Sequence, residues 1–358
     1  MPWRTLKPVD KKTKLLRLSG AATNNLRNIS VAIPLGRLTG VTGVSGSGKS
    51  TLIGSTLIPA LRASMGNADA NIQEFTGEQA DLVYPLPVYS KLSGADELSR
   101  VVEVGQDPPG RRGNSNPASY LGLWDRIRQL FARQPDAKKL GYTAGHFSFN
   151  AAGACPQCKG NGRRVMWLGT TNVSYQCDIC HGLRYEKSIL QAKCHGLNIT
   201  EVLALSAAEA LLFFEEDKVI RRILKVLVET GMDYIKLGQP TSTLSGGEAQ
   251  RLKLAREIGK GNRGGHTLYV LDEPTTGLSP HDISKMLLLM DSLLQQGNTV
   301  IVIEHDPSVL SRCDWLIELG PDGGTRGGRL LCKGTPKQVA ANKHSLLASS
   351  IEFPDAVT

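Results

Sequence analysis

Nowhere in the 358 residues does an apolar run approach the ~20 residues that a membrane-spanning helix requires. The opening stretch, Met1 to Lys14, is polar and basic and lacks the apolar core of a signal peptide. These two absences set the expectation of a cytoplasmic protein with no membrane partner. Cysteine is sparse and odd in number, seven in a long chain, which argues against a disulfide framework. Internal repeats and low-complexity tails are missing too, as is any motif for reading base edges. What remains is ordinary globular composition, 41% hydrophobic and 21% charged. The formal net charge of +9 fits either a polyanionic partner or simple solubility.

Three short apolar runs open the chain, Leu15–Leu18, Ile29–Ile33 and Leu38–Thr42, separated by turn formers such as Gly20, Asn24, Asn25, Pro34 and Gly36. They predict strands, and a helix is expected from Lys49. Residues 63–98 read as loop, residues around Trp124 to Phe131 as helix, and residues 141–190 as a Gly- and Cys-rich stretch without helical periodicity. Residues 201–230 return to helical spacing, with Leu203, Leu205, Ala210, Phe213 and Phe214 on recurring faces. From residue 266 strand and helix patterns alternate: Leu268–Leu271, Ile283–Leu294, Val300–Ile303 and Trp315–Glu318. That alternation predicts an α/β core with a mainly parallel sheet.

Into this frame falls Gly43-Val44-Ser45-Gly46-Ser47-Gly48-Lys49-Ser50, which fits G-x-x-x-x-G-K-[ST] between a strand and a helix. Glycines let backbone N–H groups curl around phosphate oxygens at a helix N-terminus. Lys49 reaches the β- and γ-phosphates, and the Ser50 hydroxyl, followed by Thr51, is placed for Mg²⁺. Downstream, Leu268 to Glu273 is an apolar strand ending in two acids whose side chains alternate in direction. Asp272 suits the Mg²⁺ shell and Glu273 a water-polarising general base. In Leu244-Ser245-Gly246-Gly247-Glu248-Ala249-Gln250, Ser245 and Glu248 stand at capping-box spacing, so a second anion-binding helix start is predicted at Ser245, Gly246 and Gly247. Two phosphate cradles in one chain suggest ATP held between two copies.

This set resembles the ABC ATPases, and the segment at Ser245 resembles their signature sequence. The resemblance implies that His305, in Glu304-His305-Asp306 after the strand Thr299–Ile303, contacts the γ-phosphate. It likewise implies that Gln106, in Val104-Gly105-Gln106-Asp107-Pro108, senses Mg²⁺ and the attacking water. Two departures point away from transport: no aromatic residue precedes the first cradle where it could stack on adenine, and Ser279 follows Thr275-Thr276-Gly277-Leu278 where transporters carry aspartate.

Cys155-Pro-Gln-Cys158 and Cys177-Asp-Ile-Cys180, 18 residues apart, match a closed four-thiolate Zn²⁺ site. Gly160, Gly162 and Gly182 supply the turns; His181 is a weaker ligand candidate, and Cys194, Cys313 and Cys332 have no partner in sequence. More than two hundred residues separate Lys49 from Asp272, so the excess reads as a zinc module inserted in the signature lobe.

Taken in order, these stretches resemble the second, C-terminal half of the UvrA family, the A component of the bacterial ABC excinuclease. The carriers are Gly40–Leu52, Val101–Tyr120 with Gly110-Arg111 and Ser115-Asn116-Pro117, and Gly141–Asn150 with Phe147-Ser148-Phe149-Asn150. They continue through the cysteine module, Tyr234–Leu254, Leu271–Leu278, Gly297–Asp306 and Gly334-Thr335-Pro336. The expected fold is therefore an ABC-type P-loop ATPase core with a helical signature lobe and an inserted zinc module. Residues 1–98 and 251–358 would form the core, and residues 99–250 the lobe, with the zinc module at about 146–190. The resemblance implies a damage-sensing, DNA-binding ATPase of nucleotide excision repair using ATP, Mg²⁺ and Zn²⁺. Full-length members join two such halves and dock the excinuclease's B component through the first, which places that docking in doubt. The chain then homodimerises, pairs with a separate half, or is a truncated paralogue. Arg163, Arg164, Arg184, Lys187, Arg111 and Arg112 are candidates for phosphate contact or for a solvated basic face. A transporter-type ATPase and a DNA- or drug-protection module outside excision are the competing readings.

Overall fold

The computed structural model describes residues 4–66, 86–107, 109–110, 115–260, 265–348 and 350. In chain order the strands and helices begin with β1 (Leu15–Ala21), β2 (Ile29–Pro34), β3 (Leu38–Gly43), a π-type turn at Thr51–Leu57 continuing into α1 (Ile58–Ser64), β4 (Lys91–Ser93) and β5 (Arg100–Val104). Next come α2 (Pro117–Tyr120), α3 (Trp124–Ala132), α4 (Pro135–Lys139), β6 (Arg163–Trp167), β7 (Asn172–Gln176), β8 (Lys193–Cys194) and β9 (Leu197–Asn198). Helices α5 (Ile199–Ala204), α6 (Ala207–Phe213), α7 (Lys218–Glu229) and α8 (Gly246–Lys260) lead to β10 (Thr267–Asp272). The chain closes with α9 (Pro280–Gln295), β11 (Thr299–Ile303), α10 (Pro307–Leu310), β12 (Trp315–Gly320), β13 (Arg329–Gly334) and α11 (Pro336–Ala340). Among the described residues no helix is long and apolar enough to cross a membrane.

Two compact units emerge. The first comprises residues 1–107, 246–254 and 260–358, the second residues 108–245 and 255–259. In the first unit a six-stranded sheet runs β13-β12-β3-β11-β10-β5. All its pairs are parallel except the antiparallel edge pair β12–β13. Burial explains the sequence pattern: β3 and β11 are buried at every position, which is why they read as unbroken apolar runs rather than alternating ones. A smaller antiparallel sheet, β2-β1-β4, contributes Leu16, Leu18 and Ile33 to the same core as Leu52, Ile53 and Leu57 of the helical segment and Ile301 and Ile303 of β11.

Helix starts in this unit follow local chemistry. Ser279 caps α9 by accepting the Asp282 N–H, with Pro280 in the first turn where its missing N–H costs nothing. Asp306 likewise caps α10 through the Ser308 N–H at 2.7 Å.

In the second unit Asn198/Glu201 and Ser206/Glu209 form capping boxes that open α5 and α6. Asp217 caps α7, whose buried stripe is Ile220, Leu224 and Leu227, the expected spacing for one helix face. An aromatic cluster anchors the loop before the cysteines: Trp124 of α3 stacks on Phe149 with ring centroids 5.3 Å apart, and Phe131 meets Phe147 at 5.3 Å. The Gly- and Cys-rich stretch also holds an antiparallel hairpin, β6–β7, where the sequence pattern predicts no strand.

Candidate nucleotide and metal sites

The phosphate loop leaves the buried end of β3 and closes at Ser50, which heads the following helix without using its side chain as a cap. Gly43 must be glycine: its φ is +137°, and a Cβ there would sit 2.0 Å from the Leu319 carbonyl oxygen. Lys49 curls back over the loop and donates to the carbonyls of Gly43 (2.8 Å) and Val44 (2.9 Å). The residue is largely buried, and loss of hydration lowers its pKa despite the opposing pull of Glu273 and Asp272. Ser45 and Gly46 are exposed, whereas Ser47 Oγ is buried without a hydrogen-bond partner among the described residues. A loop whose lysine is held by carbonyls, beside a buried hydroxyl with no partner among the described residues, fits a phosphate that would take over those contacts.

The acids sit at the neighbouring strand ends. Asp272 closes β10, and burial followed by repulsion from Glu273 raises its carboxyl pKa, with Lys49 opposing. Glu273 has φ +44°, a sparsely populated conformation for a residue with a side chain, and its N–H is tied to the Ile303 carbonyl at 2.9 Å. Its Oε1 lies 3.5 Å from His305 Nε2. Between the two loops stands Glu304, buried, to which the sequence motifs assign no role. Its Oε1 accepts the Thr275 N–H (3.0 Å) and hydroxyl, and its Oε2 accepts the N–H groups of His305 (3.0 Å) and Asp306 (3.4 Å).

Gln106 follows β5, the strand paired with β10. Its exposed side chain rests against Gly246, where an added Cβ would meet Oε1 at 3.0 Å. Gly246 and Gly247 form the first turn of α8, directly after Ser245. Farther along that helix, fully buried Gln250 donates to the carbonyls of Val104 (2.9 Å) and Asp272 (3.0 Å). Lys253 donates to the Gly105 carbonyl at 3.0 Å. The ends of β5 and β10 are thus tied to α8.

The four cysteines come together in the second unit. All four Sγ atoms lie within 4.8 Å of one another and all are buried. Cys155 and Cys177 are 4.0 Å apart, Cys158 and Cys180 3.6 Å. Zn–S bonds of about 2.3 Å place tetrahedral sulfurs about 3.8 Å apart, so this donor set fits Zn²⁺. The two knuckles are built alike. Lys159 and His181 have φ of +49° and +47°, and Gly162 and Arg184 +70° and +72°. A backbone N–H from Gly162 reaches Cys158 Sγ at 3.2 Å. Cys194, Cys313 and Cys332 are buried elsewhere and stay outside the cluster.

The basic candidates separate. Arg184 is half-buried with its guanidinium 5.6 Å from the Phe149 ring and one terminal nitrogen buried without a partner among the described residues. It is a packing residue of the module rather than an open phosphate contact. Arg163 bonds Ser174 of the opposing strand, Arg164 pairs with Asp178 at 3.7 Å, and Lys187 is exposed. Arg111 and Arg112 lie outside the described residues. The hairpin above Arg163 and Arg164 exposes Val165 (66%) and Trp167 (63%) to solvent, unusual for such side chains.

No family model matches the chain. Curated proteins do. UvrABC system protein A of Thermus thermophilus is 46% identical over 91% of this chain and 33% of its own length. Its counterpart in Pseudomonas aeruginosa is 46% identical over 93% and 34%, and that of Xylella fastidiosa 45% over 93% and 33%. The crystal structure of UvrA2 from Deinococcus radiodurans superposes with a TM-score of 0.85 at 42% identity, covering 98% of this chain and 40% of that one. The chain thus spans about a third of the length of the curated relatives it matches, and within that part it is a member of the UvrABC system protein A family with an ABC-type α/β fold.

Proposed function

We propose that this chain is an ATP-hydrolysing, DNA-binding ABC ATPase of the damage-recognition type. The observation that carries the reading is the grouping of Lys49, Asp272, Glu273 and His305 in one unit, with Glu273 and His305 side by side. Lys49 and the loop N–H groups hold the β- and γ-phosphates, and Ser50 and Asp272 hold Mg²⁺. Mg²⁺ supplies charge neutralisation on the phosphate oxygens. Glu273 accepts the proton of the attacking water, His305 contacts the γ-phosphate, and Gln106 lies at the strand end next to Asp272 to report on metal and water. Ser245, Gly246 and Gly247 close the site of a second copy or of another UvrA-like half.

Cys155, Cys158, Cys177 and Cys180 hold a structural Zn²⁺, since four thiolates leave no open position for chemistry. Duplex DNA is the partner. The +9 charge, the basic pair at the base of the β6–β7 hairpin and the exposed Trp167 support a surface that takes phosphates and meets a distorted stack without reading bases. The cytoplasm, where ATP and DNA are both present, is the matching compartment.

The test is phosphate release and gel mobility measured with undamaged duplex, damaged duplex and no DNA. The reading expects turnover that responds to DNA and a shifted band that disappears as salt rises. Turnover and mobility both indifferent to DNA would overturn the reading and leave the transport reading standing instead.

A further inference from the structure

A second glycine-rich segment, Gly323-Gly324-Thr325-Arg326-Gly327-Gly328, lies against the phosphate loop although it is remote from it in sequence. Backbone bonds join the two. The Gly324 N–H donates to the Gly46 carbonyl at 3.0 Å, and the Gly328 N–H to the Ser47 carbonyl at 3.0 Å. Asn25 stands between them: its Nδ2 donates to the carbonyls of Gly46 (3.1 Å) and Gly324 (3.3 Å). Both partners are carbonyl oxygens, so the amide nitrogen must face them whatever the assignment of the two terminal atoms. The contact is also sterically close. A Cβ on Gly323 would sit 2.7 Å from the Ser45 carbonyl oxygen, and one on Gly328, at φ +74°, would sit 1.8 Å from that of Asn25.

Geometry gives these bonds a consequence. In a planar trans peptide the C=O of one residue and the N–H of the next point in opposite directions. Pinning the Ser47 carbonyl towards Gly328 therefore turns the Gly48 N–H away from the strap. Pinning Gly46 fixes the preceding peptide, whose Ser47 N–H is held by the Val44 carbonyl at 3.1 Å, and so holds the bend of the loop. A loop whose peptides are already oriented loses less freedom when an anion binds.

We infer that Asn25 and the glycines of the 323–328 strap are positioning residues for the phosphate cradle, holding the bend of the loop so that the Gly48 N–H is free to face the nucleotide's phosphate oxygens. This rests on the ATPase reading above. Asn25→Asp replaces the donor by a carboxylate facing two carbonyls, and Asn25→Ala removes it without adding charge. Both lie on a half-exposed loop, and thermal melting and zinc content are read on each protein to show that it is folded.

The experiment measures ATP KM and kcat, with direct binding of a fluorescent ATP analogue, on the full chain. The expected result is a KM and a dissociation constant raised about tenfold in Asn25→Asp and less in Asn25→Ala, with kcat within about twofold. A wild type that binds nucleotide, with Asn25 variants of unmoved KM and affinity, overturns the inference alone. A folded wild type that binds no nucleotide overturns the ATPase reading and this inference with it.

Discussion

His305 Nε2 stands 3.5 Å from Glu273 Oε1, and the backbone N–H of that same histidine is held at 3.0 Å by the carboxylate of Glu304. Glu304 also holds Thr275, two residues beyond Glu273. One buried acid therefore fixes the loops that bear the two groups proposed to face the γ-phosphate.

The direct prediction concerns the base. Glu273→Gln keeps the shape and removes the proton acceptor. Steady-state phosphate release should fall at least about a hundredfold while nucleotide binding is retained. Normal turnover in this variant removes Glu273 from the role.

Glu304→Gln is expected to behave differently. An amide in that place turns an NH₂ donor towards backbone N–H groups, leaving donors unsatisfied at a cost of about 1–3 kcal/mol. The effect should be a lower kcat with KM little changed, because Glu304 touches the loops and not the phosphate loop. Equal losses in melting temperature and no change in kcat would make it a fold residue only.

How far the sequence shows all this depends on the range of the interactions. Lys49, Asp272 and the cysteine pairs are legible because their chemistry is set within a few neighbouring residues. Glu304 is not, since its partner Thr275 is 29 residues away, nor is Gln250, whose partner Val104 is 146 away. Asn25 looks like a turn former because its second partner, Gly324, is 299 residues distant. The β6–β7 hairpin escapes for another reason. Nearly all its positions face solvent, so the alternation that betrays a half-buried strand is missing. Arg184 reads as a basic surface residue, yet its guanidinium packs over Phe149.

Metal analysis provides a separate check. About one zinc per chain is expected, and Cys177→Ser should lose it and melt at lower temperature. Chelation of the wild type should lower melting in the same way. A chain purified without zinc, whose melting ignores added zinc, contradicts the site.

DNA contact is tested through salt. Each phosphate neutralised makes the fall of log affinity with log salt steeper by about 0.9. Arg163→Ala, Arg164→Ala and Lys187→Ala should each weaken binding across sequences and flatten that slope by about 1. Arg184→Ala should instead disturb the module's melting, through the ring contact it loses.

The central claim is that a complete ATP site needs Lys49 of one copy and Gly247 of another, and complementation tests it most directly. Lys49→Ala and Gly247→Asp chains are each expected to be inactive alone. Mixed one to one, the mixed dimer holds one site with an intact loop facing an intact signature, and another defective in both. Random pairing puts half the dimers in that form, so turnover should return to about a quarter of the wild-type rate. A mixture as inactive as its components, with both variants folded and able to pair, contradicts the shared site.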